Sequence, residues 1–288
     1  MNLRQIIAIC LCPILTLTFA SSIRADDLGT GLVFLAPFDQ GVDATIGTDR
    51  VLYTAESLKR ETVAPGNLRK DVKLVADAGR YGGALQFGDG AATQVTMFRG
   101  VNTEYRERNW SGTVSMWLRL SPDEDLKPGY CDPLQITDKA WNDAAFFVDF
   151  DKDLPRVFRL GVFPDYRSWN PTDTPWEQIP ASSRPMVPVS MPPFRRTEWT
   201  HVAWTFSGLN TDRADAQAEL YVNGHSKGRL SNPMKFSWQI DRTAIMLGIA
   251  YTGYFDELAI YNRALSASEI QTLYLLPNGL TAVRKTDK

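Results

Sequence analysis

Hydrophobic residues in this chain recur at period two, in short runs, and at period 3.6 only once. Thr113 to Leu120 shows the pattern best. Val114, Met116, Leu118 and Leu120 fall on one face, and Thr113, Ser115, Trp117 and Arg119 on the other. Successive strand side chains point to opposite faces, so such a run becomes a half-buried strand. Trp199 to Phe206 repeats it with Val202, Trp204 and Phe206. Shorter runs lie at Leu32–Leu35, Ala84–Phe87, Thr93–Phe98, Ala145–Phe150, Val157–Val162, Glu219–Val222, Ala244–Leu247 and Tyr254–Tyr261. Asn223-Gly224 after Val222 signals a tight hairpin, because both residues tolerate positive φ. About ten short strands punctuated by turns predict an antiparallel sandwich or barrel. No period of 20–50 residues repeats, which excludes a propeller or solenoid.

The single helical signal is Ser266-Ala267-Ser268-Glu269, a capping box, followed by Ile270, Leu273 and Tyr274 on one stripe and Pro277-Asn278-Gly279 as a stop. One segment resists any strand reading. Residues 163–198 hold eight of the 17 prolines, so a long surface loop is predicted there. The loop also carries Tyr166, Trp169, Trp176 and Phe194, too many aromatics for plain disorder. Long loops on compact domains are usually functional. Tyr166, Trp169 and Trp176 are candidates for a platform that stacks on sugar rings. The alternative is that they pin the loop to the sandwich.

The N-terminus has the layout of a cleaved secretory signal: Arg4, an apolar stretch from Ile6 to Phe19, then Ser22-Ile23-Arg24-Ala25. Residues 1–25 are therefore set aside, and 26–288 is expected to form one domain, secreted or periplasmic. Ile9 and Leu11 precede Cys10 and Cys12, which argues against a lipid anchor. No later apolar run is long enough to span a membrane. Beyond residue 25 one cysteine remains, Cys131, so no internal disulfide can staple the fold, and a buried structural thiol is expected. A formal net charge of −2 and a pI near 5.8 exclude the basic footprint of a nucleic-acid binder. The two histidines, His201 and His225, cannot build a histidine-rich zinc site, and neither has a serine or cysteine motif beside it.

Five segments in order resemble the laminin-G-like, concanavalin A-like jelly-roll family found in many secreted bacterial proteins. They are Gly83-Ala84-Leu85-Gln86-Phe87 with Gly88-Asp89-Gly90, Gly112 to Leu118, Trp199-Thr200-His201-Val202-Ala203-Trp204, Leu220 to Gly224, and Phe255-Asp256-Glu257-Leu258 through Ser266 to Glu269-Ile270. The resemblance implies an all-β fold: a two-sheet antiparallel jelly-roll sandwich with a short C-terminal helix and one long proline-rich loop. It also implies recognition of a glycan or of an extracellular or envelope protein. Alternation places Asp256 in phase with Leu258 and Ile260, toward the core. Relatives of this fold often hold a structural calcium with the aspartate at this place, so the resemblance makes Asp256 a Ca2+ ligand. Asp39 and carbonyls near Gly83 are candidate further ligands, since calcium takes six to eight oxygens. Without a metal, Asp256 would accept hydrogen bonds from backbone amides or an arginine.

Asp149, Asp151 and Asp153 alternate at a strand end. A glycosidase needs two carboxyl groups at fixed separation. The glucanases of this fold carry two glutamates flanking an aspartate on one strand, and no such stretch exists here. The sequence therefore points to a secreted, non-enzymatic recognition module. A glycoside hydrolase or polysaccharide lyase with an unrecognised site is the alternative, and a structural envelope protein without a small ligand is a third.

Overall fold

The structure, a computed structural model, describes residues 25–67, 69–88, 93–211, 213 and 215–283. The predicted signal segment before Ala25 and the Asp89-Gly90 end of the first motif lie outside the described residues. Among the described residues no helix is long and apolar enough to cross a membrane.

Sixteen strands are described. In chain order they are β1 (Leu32–Ala36), β2 (Tyr53–Ala55), β3 (Val63–Pro65), β4 (Val72–Val75), β5 (Ala84–Phe87), β6 (Val95–Arg99), β7 (Trp110–Arg119) and β8 (Cys131–Thr137). There follow β9 (Ala145–Phe150), β10 (Phe158–Phe163), β11 (Met186–Val189), β12 (Thr200–Leu209), β13 (Gln217–Val222), β14 (His225–Ser231), β15 (Ala244–Ile249) and β16 (Gly253–Tyr261). They form two antiparallel sheets. The first has the order β14-β13-β12-β7-β16-β5-β4, with β1 also on β16. The second has the order β11-β10-β9-β8-β15-β6-β2-β3. This is the two-sheet sandwich that the alternating runs and the family motifs predict.

The core lies between the sheets. Val114, Met116 and Leu118 of β7 and Val202, Trp204 and Phe206 of β12 meet Phe146, Val148, Leu160 and Leu247 of the second sheet. Each fully buried side chain of this kind contributes about 1.5–3 kcal/mol, so a core held by no disulfide suffices. Cys131 is buried in it, and burial pushes its thiol up to about 11, which leaves it unreactive.

The sequence undercounts strands where alternation is too short or too polar to see. β2 and β3 are three residues each, and β14 is a largely exposed, polar edge. β8 contains Pro133 at the register shift between Cys131 and Leu134, a place where the ladder can do without its amide. The proline-rich segment is not all loop. Met186-Val187-Pro188-Val189 forms β11 at the sheet edge against β10, and edge position lets Pro188 sit there.

The C-terminal helix Ala267–Tyr274 begins with the predicted capping box: Ser266 accepts from the Glu269 amide, and Glu269 accepts from the Ser266 amide. Ile270 and Leu273 pack on Ala203, Tyr221, Ala259 and Tyr261, closing the outer face of the first sheet. His201 lies fully buried beneath it, with Nε2 2.9 Å from Ser115 Oγ and its ring beside Trp117 and Tyr274. Burial pushes its pKa down to about 3. The unfolded chain titrates near 6.5, so below that pH it takes up a proton that the native protein refuses. His201 therefore removes up to about 1.4 kcal/mol of stability per pH unit between about 6.5 and 3. Chemical unfolding of wild type and His201→Gln across pH 4–7 should show a shallower acid slope in the variant. Parallel slopes would assign the loss to other groups.

Candidate functional site

The outer face of the second sheet is open, and strand register arranges its side chains in two rows. One row runs across the strands as Met97, Met246, Gln135, Phe147, Gly161 and Met186, each the register partner of the next. The neighbouring row carries Ile249 beside Asp132, and Asp149 beside Arg159. The register shift after Cys131 brings Asp132 next to Asp149. All of these but Met97 and Gly161 line a cleft of about 660 Å³. Phe147 lies flat over the sheet because Gly161 has no side chain: a Cβ there would stand 2.2 Å from the ring.

The walls come from loops. Trp141 and Trp176 meet edge to face at 5.2 Å between ring centres, and Trp141 stands over Phe147 and Phe163 at one end. Tyr130 rises at another side, and Leu58, Lys59 and Arg60 at a third. Leu58, Tyr130 and Trp141 are 51%, 43% and 40% exposed. Large apolar groups gathered on the rim of a concave site mark it as a binding surface rather than scattered surface residues.

The polar row has a definite charge arrangement. Arg159 donates from Nε to Asp149 Oδ1 at 2.9 Å and from Nη2 to Asp149 Oδ2, and reaches Asp151 Oδ2 at 3.0 Å. Its guanidinium lies 5.1 Å from the centre of the Tyr130 ring. Burial raises the Asp149 carboxyl to about 6, and Arg159 opposes that rise. Asp132 is pushed well above the usual carboxylate range, first by burial and then by the charge of Asp149. The row therefore holds Asp149, clasped by Arg159, beside Asp132, where burial and the charge of Asp149 both disfavour ionisation. Asp132 has no hydrogen-bond partner among the described residues and faces the cleft, so its carboxyl is free to bond to a ligand.

Of the predicted stacking residues, Trp176 lines the cleft, with Arg184 over its ring at 4.0 Å. Trp169 sits behind it, its Nε1 donating to Asn142 O at 2.9 Å and its ring edge-on to Phe163. Tyr166 donates from its hydroxyl to Asp173 at 2.5 Å and contributes nothing to the lining. Asp151 is a second counter-ion of Arg159, and Asp153 is exposed in the turn. Sequence reasoning missed Asp132, Gln135, Arg159 and Trp141. Arg159 was findable, because a hairpin fixes its register with Asp149. Asp132 was not, because the irregularity at Pro133 sets its direction.

Asp256 and Asp39 come together elsewhere, against the Gly79–Gly83 turn. The phase expected for Asp256 needs correction. Phe255 and Leu258 both reach the core, because β16 shifts register between Asp256 and Ala259 and Glu257 adopts a φ of 49°. Asp256 is thereby turned to the side of its partner Trp117, where Oδ2 accepts from the Arg80 and Tyr81 amides at 2.7 and 3.1 Å. Burial raises its carboxyl to about 7, with the charge of Asp39 adding to the rise. Oδ1 of Asp256 and Oδ1 of Asp39 are both buried without a hydrogen-bond partner. A Cβ on Gly82 would stand 2.3 Å from Asp39 Oδ1, and one on Gly79 would stand 2.8 Å from Asp256 Oδ2. Glu257 is engaged otherwise, accepting from the Leu280 amide at 2.6 Å. Among the described residues no three His, Cys, Asp or Glu side chains gather as a metal cage, so any cation here would need backbone oxygens as well.

Two stacked antiparallel sheets with a short C-terminal helix define a jelly-roll sandwich. The chain belongs to the concanavalin A-like lectin/glucanase superfamily: its laminin-G-type family model matches residues 89–271. No curated protein matches the chain in sequence. Among solved structures it is similar to domain 4 of AbnA, a GH43 extracellular arabinanase from Geobacillus stearothermophilus in complex with arabinotriose. That match has a TM-score of 0.51 and 18% identity, and covers 84% of this chain and 97% of that one. It is also similar to the binding domain of Paraclostridial Mosquitocidal Protein 1, with a TM-score of 0.51, 14% identity and coverage of 87% and 52%. The receptor-binding domain of the botulinum neurotoxin C/D mosaic serotype gives 0.54, 11%, 86% and 51%. The chain thus spans about half the length of the toxin domains, and at these identities the likeness is one of fold.

Proposed function

We propose that the protein is a recognition module that binds carbohydrate in the cleft on the second sheet, outside the cytoplasm. One observation carries this reading: an aromatic-walled, concave site whose floor pairs an apolar row with a polar row in which Asp132 has no protein partner. Sugars present flat apolar ring faces and a rim of hydroxyls, and such a site meets both. Trp141 and Trp176 take the ring face, Asp132 bonds to a hydroxyl, and Gln135 exchanges hydrogen bonds with others. Trp169 and Tyr166 hold the loop that carries Trp176. The arabinotriose-bound arabinanase domain and the toxin binding domains support a binding role by likeness of fold.

The test is depletion of the protein on a panel of immobilised polysaccharides, with released soluble sugar measured alongside. Trp176→Ala should weaken binding by about tenfold or more, as truncation of a central tryptophan typically costs about 2 kcal/mol. Tyr166→Ala should leave affinity within about twofold, since its ring is outside the cleft. Equal loss in both, or loss in neither, would remove the cleft from the binding site. The second reading, a carbohydrate-active enzyme, has one observation in its favour. Burial and the charge of Asp149 push the Asp132 carboxyl well up while Arg159 opposes the rise of Asp149, and an acid and a base require two carboxyls set apart in this way. Sugar release abolished by Asp132→Asn would establish it.

For the pair on the first sheet we propose a structural calcium. Two orphaned carboxylate oxygens, buried and repelling each other, fit a divalent cation better than they fit each other. Asp39 and Asp256 would hold it, and the glycines at 79 and 82 leave room beside them. The ion would supply charge neutralisation and tie β16 to the loop after β1.

A further inference from the structure

The corner of the cleft formed by Leu58, Lys59 and Arg60 holds two cations that make no ion pair among the described residues. Arg60 adopts a φ of 57°, which turns its side chain over the sheet. Its Nη1 donates to Leu58 O at 2.8 Å and lies 3.4 Å from Met246 Sδ. No carboxylate of a described residue comes within ion-pairing distance of it or of Lys59. The contrast inside the cleft is clear: Arg159 is clasped by Asp149 and Asp151, and Lys139 bridges Asp143 and Asp165. Arg60 is half-buried, and burial lowers its pKa. The charge of Asp138 opposes that fall, and the like charge of Arg242 adds to it by less. A partly desolvated guanidinium with no carboxylate in direct contact can take an anion from a ligand.

We propose that the ligand of this cleft is an acidic saccharide, whose ring carboxylate pairs with Arg60 while its ring lies toward Trp141. This rests on the cleft being the carbohydrate site. A guanidinium presents its N–H groups as a planar fork that matches a carboxylate. The spacing suits a sugar ring. Arg60 sits on Met246, the register partner of Gln135, which in turn pairs with Phe147. Two strand spacings, about 10 Å, thus separate the cation from the ring beneath Trp141. Arg159 pairs with both Asp149 and Asp151 and offsets one of their two negative charges.

The experiment compares binding of polygalacturonate, its methyl ester, neutral arabinan and dextran sulfate to wild type, Arg60→Gln, Arg60→Lys and Trp176→Ala. Polygalacturonate should bind at least about tenfold more tightly than its ester. Arg60→Gln should erase that difference without weakening the ester, and Arg60→Lys should keep part of it. If Arg60→Gln does not fold, the ester comparison and Arg60→Lys decide the matter. Equal binding of acid and ester, or of dextran sulfate and polygalacturonate, overturns the proposal. If Trp176→Ala still weakens all saccharides in that case, the cleft remains the site and only the acidic ligand falls. If no saccharide binds, the cleft reading itself fails.

Discussion

Arg159→Met should destabilise the protein by about 3–5 kcal/mol, the usual cost of removing one partner from a buried ion pair. At this chain length that lowers the melting temperature by about 6–20 °C. The methionine fills the space of the guanidinium stem, so the loss comes from charge. Asp149 would stay buried beside Asp132 and lose the bidentate partner that now satisfies both its oxygens. The effect should depend on pH in a stated direction. Without Arg159 the Asp149 carboxyl rises above about 6 and escapes its penalty by taking a proton. The deficit relative to wild type should therefore be largest at pH 8 and shrink toward pH 5. Asp149→Asn in the same chain should recover part of the loss. A deficit that does not change with pH would mean that Arg159 acts by packing alone.

Chelation of metal-replete protein should lower its melting temperature by about 8–16 °C. A ligand present at about a thousandfold its dissociation constant stabilises by about 4 kcal/mol, and the shift follows from the chain length. Added calcium should restore the curve. Asp256→Ala should abolish the response and add about 1–3 kcal/mol of loss, because the Arg80 and Tyr81 amides forfeit their acceptor. Asp151→Ala, far from the pair, should respond to chelator as wild type does. A melting curve indifferent to chelator would sink the calcium proposal. Asp39 and Asp256 would then be a pair that shares a proton.

Periodicity read from the sequence places β7, β12 and β16 and the C-terminal helix, because each is long and patterned on one face. Val114, Met116, Trp204 and the Ser266–Glu269 cap sit as that pattern requires. The short edge strands escape it. Three residues show no period, and a proline in β11 argues against a strand unless its edge position is known. The site is less legible than the fold. Trp176 and Asp149 could be singled out by type, but the partners that give them meaning are far away in sequence.

By itself the sequence determined the two-layer β architecture, the terminal helix and the family. Those follow from local alternation and capping, which a chain carries wherever its neighbours lie. Only the tertiary structure decided which face is open, that Asp132 stands beside Asp149, and that no carboxylate of a described residue pairs with Arg60. Those depend on register across strands, on two bulges, and on which loops close over which sheet. A bulge shifts every later side chain to the other face without any mark in composition. It turned Asp256 away from the core that simple alternation assigns to it.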